Sequence, residues 1–462
     1  MMNDLRGIAV LDIGATGSKL ALFDAALNPL AERRIASRHV PGPPYAWIDP
    51  EPVFDMVRQA LPEFDRILPI DIIAPSAHGA ALACLAADGS LALPVMDYLA
   101  EPPAAVVADY RKIEPPFSEV FGPLLPMALT HGLQLFWQES AHAEAFASIE
   151  TIIPFIQYAP FRLAGKAVSE ISSLSCQTQL VDVRHGGFSS MARARGWDRK
   201  FAPMMKAWES VGALLPDYRG AEFRGRGAVL AGVHDSNANY LRYLAADVGS
   251  FTLLSTGTWI IGFDTDADIA TLDPARDTCT NTDVRGRQVA CCRFFGGKEF
   301  EIIADGAPAG AASLASVTRL IAGGTFAMPS FTDSGGPLPG TGGKGRITGP
   351  RAQSPEDKAS LAALYCALMC SQQLDAVKSK GQIIVDGPFA ENSVFLALLA
   401  ALRPDQQVRA SNLRDGTTAG AAVLGLMHAA GGALPRISLE LVNCATPEIA
   451  GLADYARAWR TR

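Results

Sequence analysis

The strongest constraint in this sequence is a device that occurs twice. Gly7-Ile8-Ala9-Val10-Leu11 is an apolar run short enough for a buried strand. It runs into Asp12-Ile13-Gly14-Ala15-Thr16-Gly17-Ser18-Lys19, a turn of small residues, and Leu20-Ala21-Leu22-Phe23 reads as the returning strand. Far downstream the pattern restarts: Ser250–Ser255 as a strand, Thr256-Gly257-Thr258 as a turn, Trp259–Phe263 as the return. An internal echo in a chain of 462 residues predicts two related α/β domains, 1–240 and 241–462.

Between and beyond the echoes, strands and helices alternate. Val53, Phe54, Val57, Leu61 and Phe64 follow helical spacing, and Ile70–Ala74 is a strand emptying into Pro75-Ser76-Ala77-His78-Gly79. Asp88-Gly89 between apolar segments signals a hairpin. Val229–Gly232 is a buried strand ending at Val233-His234-Asp235, with a helix through Asn239–Leu244. Gln382–Val385 is a late strand, followed by Asp386-Gly387-Pro388 and a helix over 393–402. The run Gly416–Gly425 is a helix of small residues, suited to close packing on a sheet or another helix. The Gly- and Pro-rich stretch 329–350 reads as an exposed excursion.

Composition excludes several classes. A net charge of −7 with no run of Lys and Arg argues against nucleic acid as a partner. The eight cysteines form no C-x-x-C pair, and Cys366 and Cys370 fall four apart in an apolar run, as small core residues do. The first residues lack a basic n-region and Asp12 interrupts the first apolar stretch, so no signal peptide is expected. Ile72–Ala87 contains Pro75, Ser76, His78 and Gly79 and does not span a membrane. The expected location is cytoplasmic.

Gly340-Thr341-Gly342-Gly343-Lys344-Gly345 satisfies G-x-G-x-x-G, but no strand precedes it and no amphipathic helix follows, so it is not a dinucleotide fingerprint. No complete Walker A sequence occurs. The two Gly/Thr hairpins are the better phosphate sites, because small residues let backbone N–H groups converge on an anion. Gly14, Thr16 and Ser18 in the first, then Thr256, Gly257 and Thr258 in the second, would supply them, with Asp12 placed to hold Mg²⁺ through its waters. Each turn alone reads equally well as a plain tight hairpin. Asp235 stands where a strand ends and a helix begins; helix N-cap is the commoner job there, and general base is the alternative.

Asp12-x-Gly14-x-Thr16-x-x-Lys19, Gly232-Val233-His234-Asp235 and Ser255-Thr256-Gly257-Thr258 occur in the order and spacing of the FGGY carbohydrate kinases. The chain also resembles that family at Ser76–Gly79, Ser169–Ser173, Gly387–Asn392 and Asp415–Ala422. The resemblance implies two ribonuclease H-like (actin/hexokinase-type) domains with ATP and sugar in an interdomain cleft. It assigns Asp235 as the catalytic base. Asp12 and Asp235 would flank Mg²⁺, with Thr16, Ser18, Lys19 and Thr258 near the phosphates. Gly387 and Asn392 would line the adenosine pocket. Ser76, His78, Gly79, Asp97, His234 and Ser236 would face the sugar.

Two departures bear on detail: Gln134-Leu135-Phe136-Trp137 lacks the family's Lys, and Asp386-Gly387-Pro388-Phe389-Ala390 lacks its glycine triplet. No counterpart of the glycerol kinases' Arg–Glu pair follows Gly79. Glu170–Gln179 and His234-Asp235-Ser236 look most like the rhamnulokinase and fuculokinase branches, which implies a 6-deoxy-L-ketohexose phosphorylated at O1. A pentulose, tetrulose or polyol is the alternative acceptor. A non-catalytic sugar sensor and an actin-like ATPase are the rival classes. The implied partners are a small sugar and ATP, with no nucleic acid and no membrane, and a homodimer is allowed.

Overall fold

The computed structural model describes residues 4–350, 352–411 and 415–461. Two compact units divide the chain: Met1–Asp247 with Asn281–Gln288 and Asp415–Ile437, and Val248–Thr280 with Val289–Arg414 and Ser438–Arg462.

The sheet of the first unit contains β1 (Gly7–Ile13), β2 (Gly17–Asp24), β3 (Pro29–Ala36), β4 (Ile70–Ala77), β5 (Ser210–Ala213), β6 (Ala228–Leu230) and β7 (Val233–His234). Its order is β5-β6-β4-β1-β2-β3, with β7 pairing with β4. β1, β2 and β3 form an antiparallel meander, and β4 runs parallel to β1. The unbroken apolar run of β1 has a physical reason. Ala9, Leu11 and Ile13 pack on one face with Val53, Phe54, Val57 and Leu61 of α1 (Glu51–Ile67). Ile8 and Val10 pack on the other face with Leu230, Val233 and Leu241. A strand covered on both faces has no polar side to show.

The second unit repeats the plan. Its sheet contains β8 (Phe251–Thr256), β9 (Ile260–Asp264), β10 (Thr278–Thr282), β11 (Gln288–Phe294), β12 (Gln382–Asp386), β13 (Val408–Ser411) and β14 (Leu441–Asn443), in the order β10-β11-β9-β8-β12-β13-β14. β8 pairs antiparallel with β9 and parallel with β12, as β1 pairs with β2 and β4. Each unit thus has the expected ribonuclease H-like strand plan, and the repeated hairpin is its first turn in both.

Four helices matter below: α2 (His131–Ala141), α3 (Asp235–Ala245), α4 (Gly296–Ala304) and α5 (Pro355–Ala376). Two more follow, α6 (Ser393–Leu402) and α7 (Gly416–Ala429). Cys366 and Cys370 lie buried in α5, as small core residues do. The first unit extends to Asp247, and the closing segment Asp415–Ile437 packs with it. The reason is the helix of small residues. A Cβ on Gly420 of α7 would sit 1.8 Å from the Ala238 carbonyl oxygen of α3, so only glycine permits this helix–helix approach. Within the stretch expected to be an exposed excursion, Arg346–Thr348 is a strand paired antiparallel with Phe326–Met328, its residues mostly exposed. Gly340–Gly345 precedes no helix until α5 begins at Pro355, so its glycine pattern remains a loop feature.

Candidate active site

In the first unit the carboxyl ends of β1, β4 and β7 lie side by side. Asp12 is register-paired with Ser76, and Ser76 with Val233; one step on, Ile13 pairs with Ala77, and Ala77 with His234. The His78 N–H donates to the Ile13 carbonyl at 3.1 Å, which carries the row past the end of the sheet. Carboxyl ends of parallel strands open onto the ligand crevice in such sheets. Ser76, His78, His234, Asp235 and Asp12, singled out in sequence, gather there.

His234 is the N-cap residue of α3 and Asp235 its first helical residue. This corrects the N-cap reading of Asp235: its Oδ1 accepts from the Ser236 N–H at 2.5 Å and from the Ser236 hydroxyl at 3.2 Å. The helix starts at Asp235, where the sequence placed the strand-to-helix junction, and runs through Asn239–Leu244. His234 Nε2 lies 3.0 Å from Asp235 Oδ1 and 3.8 Å from Cys176 Sγ, while the Asn237 amide lies 3.3 Å from His234 Nδ1. Burial works against a charge on His234, but Cys176 and Asp235 outweigh it and hold the imidazole's pKa well above the ordinary value. Burial would raise the Asp235 carboxyl, and the imidazole beside it pulls it down to a net value below the usual one. Asp235 therefore stays ionised, and its side chain keeps 31% of its surface exposed.

Gly79 sits against this pair. A Cβ there would lie 2.6 Å from His234 Cδ2, inside the imidazole's own contact shell. His78 is buried, with its ring 5.1 Å from Phe155 and 5.5 Å from Tyr98. Burial lowers its pKa to about 4, so it is neutral, and its Nδ1 has no protein partner. Gln134 takes a structural job: its amide donates to the Ala80 and Ala128 carbonyls at 2.8 and 2.5 Å, fixing the loop beyond Gly79 onto α2.

Asp12 is driven the other way from Asp235. Burial and the Asp235 charge push its carboxyl up to about 7, with Lys19 opposing. Lys19, its register partner on β2, is itself buried and ion-paired with Asp415 at the start of α7. Its ammonium is thus committed to a carboxylate in this structure. Two carboxylates that repel one another suit a cation, and Mg²⁺ needs only one or two of them besides water and phosphate. Among the described residues no group of three or more metal-ligating side chains forms.

The turn between β1 and β2 is tied by a Gly14 N–H to Gly17 carbonyl bond of 3.1 Å. Thr16 is exposed, whereas Ser18 is buried and its hydroxyl has no partner. Asp97, expected at the sugar, is 5% exposed and meets His39, which no motif marks. His39 Nδ1 lies 2.7 Å from Asp97 Oδ2, and His39 Nε2 lies 3.0 Å from the Ala15 carbonyl of the turn.

The second unit holds Thr256, Gly257, Thr258, Gly387 and Asn392. Gly387 has φ +84° and a Cβ there would lie 2.1 Å from the Thr256 carbonyl oxygen, so the position admits only glycine. The Thr256 hydroxyl donates to the Asp386 carbonyl and accepts from the Phe389 N–H, which stitches the hairpin to the turn after β12. It is buried and used by the backbone, while Thr258 is exposed. Asn392 caps α6, accepting from the Phe395 N–H at 3.0 Å. A cavity of about 440 Å³ is lined by Gly257, Thr258, Gly297, Phe300, Pro388 and Asn392, among others. Gly297, in the first turn of α4, donates its N–H to the Thr258 carbonyl at 3.1 Å, and a Cβ there would fall 2.2 Å from the Gly257 carbonyl oxygen. The helix N-terminus is thereby laid against the hairpin, a favourable place for negative charge. Gly297 and Phe300 escaped the sequence reading. The Gly296-Gly297 doublet directly after a strand was the available signal.

Comparison with known proteins agrees with this plan. The family model "Carbohydrate kinase FGGY, C-terminal domain" matches residues 248–433. A carbohydrate kinase from Novosphingobium aromaticivorans is 35% identical, with 99% of this chain and 98% of that chain covered and a TM-score of 0.88. A xylulose kinase from Rhodospirillum rubrum is 17% identical over 99% of this chain and 97% of that one, with a TM-score of 0.78. Plasmodium falciparum glycerol kinase with ADP is 11% identical over the same shares, with a TM-score of 0.76. A comparison with the curated proteins gives no match. With the duplicated hairpin sheets and a 35% identical relative matched along its whole length, the chain belongs to the FGGY carbohydrate kinase family and is an ATP-dependent sugar kinase.

Proposed function

We propose that the enzyme transfers the γ-phosphoryl group of ATP to a primary hydroxyl of a ketose, with Asp235 as general base. The observation that carries this reading is the pairing of His234 with Asp235. It keeps a partly exposed carboxylate ionised at the carboxyl end of parallel strands. A carboxylate of depressed pKa is a weak base, so it accepts the hydroxyl proton late, as the phosphoryl group is already moving. His234 orients that carboxylate in either of its protonation states, because Nε2 carries a proton in the imidazolium and in the tautomer whose Nδ1 accepts from Asn237.

Asp12 and Asp235 fit Mg²⁺, which when bound with ATP offsets the phosphate charge. The turn Gly14–Gly17 supports the phosphates through its backbone, with Thr16 and Ser18 as hydroxyl donors. In the second unit Gly257, Thr258 and the α4 N-terminus do the same, and the cavity edged by Asn392 takes the adenosine with Gly387 shaping the turn. Lys19 acts through its pair with Asp415, and Thr256 through the backbone it holds.

None of the residues assigned to the acceptor, Ser76, His78, Gly79, Asp97, His234 and Ser236, is a lysine or arginine. Such surroundings suit a neutral polyhydroxy compound over a sugar acid. Ser76, His78, Gly79, Asp97, His234 and Ser236 line the acceptor side, and the half-buried Tyr98 ring beside His78 suits an apolar end of the sugar. A 6-deoxy-L-ketohexose, L-rhamnulose or L-fuculose, combines both properties. An ADP-release screen over L-rhamnulose, L-fuculose, L- and D-ribulose, D-xylulose, L-erythrulose, glycerol and gluconate tests the reading. Turnover with a ketose supports it; turnover with gluconate alone overturns it.

A further inference from the structure

The segment after β3 braces the phosphate turn in a way no motif records. Three consecutive carbonyls of that turn accept from it: Gly14 from the Ser37 hydroxyl at 2.9 Å, Ala15 facing His39 Nε2 at 3.0 Å, and Thr16 from the Ser37 N–H at 3.1 Å. A turn that holds an anion through its N–H groups needs its carbonyls drawn away from that anion. The same His39 ring reaches Asp97 through Nδ1 at 2.7 Å. Both of its partners, a carboxylate and a carbonyl, are acceptors, so the ring makes both bonds together only with a proton on each nitrogen.

Both ends of this bridge are fixed. His39 lies on the strand Arg38–Val40, paired with Ile48 of Trp47–Asp49. Asp97 donates its N–H to the Ala46 carbonyl at 2.9 Å, and its Oδ1 accepts from the Leu99 N–H at 2.9 Å. Oδ2 is thereby left to His39 and to whatever else approaches. We infer that His39 is a positioning residue that couples acceptor recognition at Asp97 to the geometry of the Gly14–Gly17 phosphate turn. This rests on the reading of Asp97 as an acceptor contact. A sugar hydroxyl that donates to Asp97 shares the carboxylate with His39, and the ring passes that change to the Ala15 carbonyl.

Steady-state kinetics of His39→Ala, Asp97→Asn and the double variant, with the acceptor that gives turnover, test the coupling. His39→Ala is expected to raise KM for both acceptor and ATP about five- to tenfold, with kcat changed by less than about threefold. Asp97→Asn is expected to raise the acceptor KM. In the double variant the acceptor KM stays at the Asp97→Asn value while the ATP KM still rises, the signature of one shared path. His39→Phe keeps a ring but neither donor and should match His39→Ala, which separates the hydrogen bonds from mere packing. With Asp97→Asn behaving as expected, wild-type KM values in His39→Phe, or multiplying acceptor effects in the double variant, overturn the coupling alone. An unchanged acceptor KM in Asp97→Asn overturns the reading of Asp97 and the coupling with it.

Discussion

His234 Nε2 lies 3.0 Å from Asp235 Oδ1, and the two residues are adjacent in sequence at a strand-to-helix junction. The helix turns the carboxylate back toward the imidazole that precedes it, so the proposed base is set by a local fold rather than a distant partner. Losing a hydrogen bond to a charged group costs about 1.5–3 kcal/mol, or roughly 10- to 100-fold in an equilibrium or rate constant. His234→Leu is expected to lower kcat by about that factor. Gly79→Ala should act through the same ring, because its Cβ would fall 2.6 Å from His234 Cδ2 and must displace the imidazole. A drop in kcat/KM of about tenfold or more is expected, with a loss of about 1–3 kcal/mol of stability from the overpacking. Wild-type kinetics in Gly79→Ala would mean that the imidazole position is not critical.

Asp12 gives a stability test with a definite sign. In the native protein its carboxyl holds a proton up to about pH 7, against an ordinary value of 3.8. Between those values the folded state binds more protons than the unfolded state, so stability falls as pH rises through the window. Asp12→Asn has no proton to lose. It should melt progressively above the parent as pH goes from 4 to 8, measured without Mg²⁺ or ATP, and lose most kinase activity. A Tm difference independent of pH would contradict the raised carboxyl that burial and the Asp235 charge impose on Asp12.

Gly387 tests the nucleotide side by itself. Its φ of +84° disfavours any side chain, and a Cβ would meet the Thr256 carbonyl oxygen at 2.1 Å. Holding a non-glycine residue in such backbone costs about 1–3 kcal/mol before the clash is counted. Gly387→Ala is expected to raise the ATP KM by tenfold or more and to leave the acceptor KM within about twofold. Equal changes in both constants would show that this turn does not act on the nucleotide alone.

Much of this was legible because the fold writes itself into short apolar runs. β1 is apolar from Gly7 to Leu11 because α1 covers one face and the α3 and α7 layer the other, and the helix expected over 393–402 emerges at those bounds. The repeated hairpin was readable because a tight turn demands small residues at fixed positions. What stayed hidden depended on contacts far apart in sequence. His39 reaches Asp97 and Ala15 across separations of 58 and 24 residues. Lys19 finds Asp415 across 396. The run of small residues in α7 announced a close approach but not its partner, Ala238, which lies far away in the sequence. The N-cap reading of Asp235 failed for a local reason: its carboxylate turns to Ser236 and His234 instead of capping the helix.

The most direct test of the account is the turnover of Asp235→Asn, measured as acceptor-dependent ADP release together with nucleotide affinity. Asn keeps the size of the side chain and removes its capacity to accept a proton. The account predicts a fall in kcat of about 100-fold or more, within the range general-base removal produces, with ATP affinity within about threefold of the parent. Near-wild-type turnover in Asp235→Asn would contradict it.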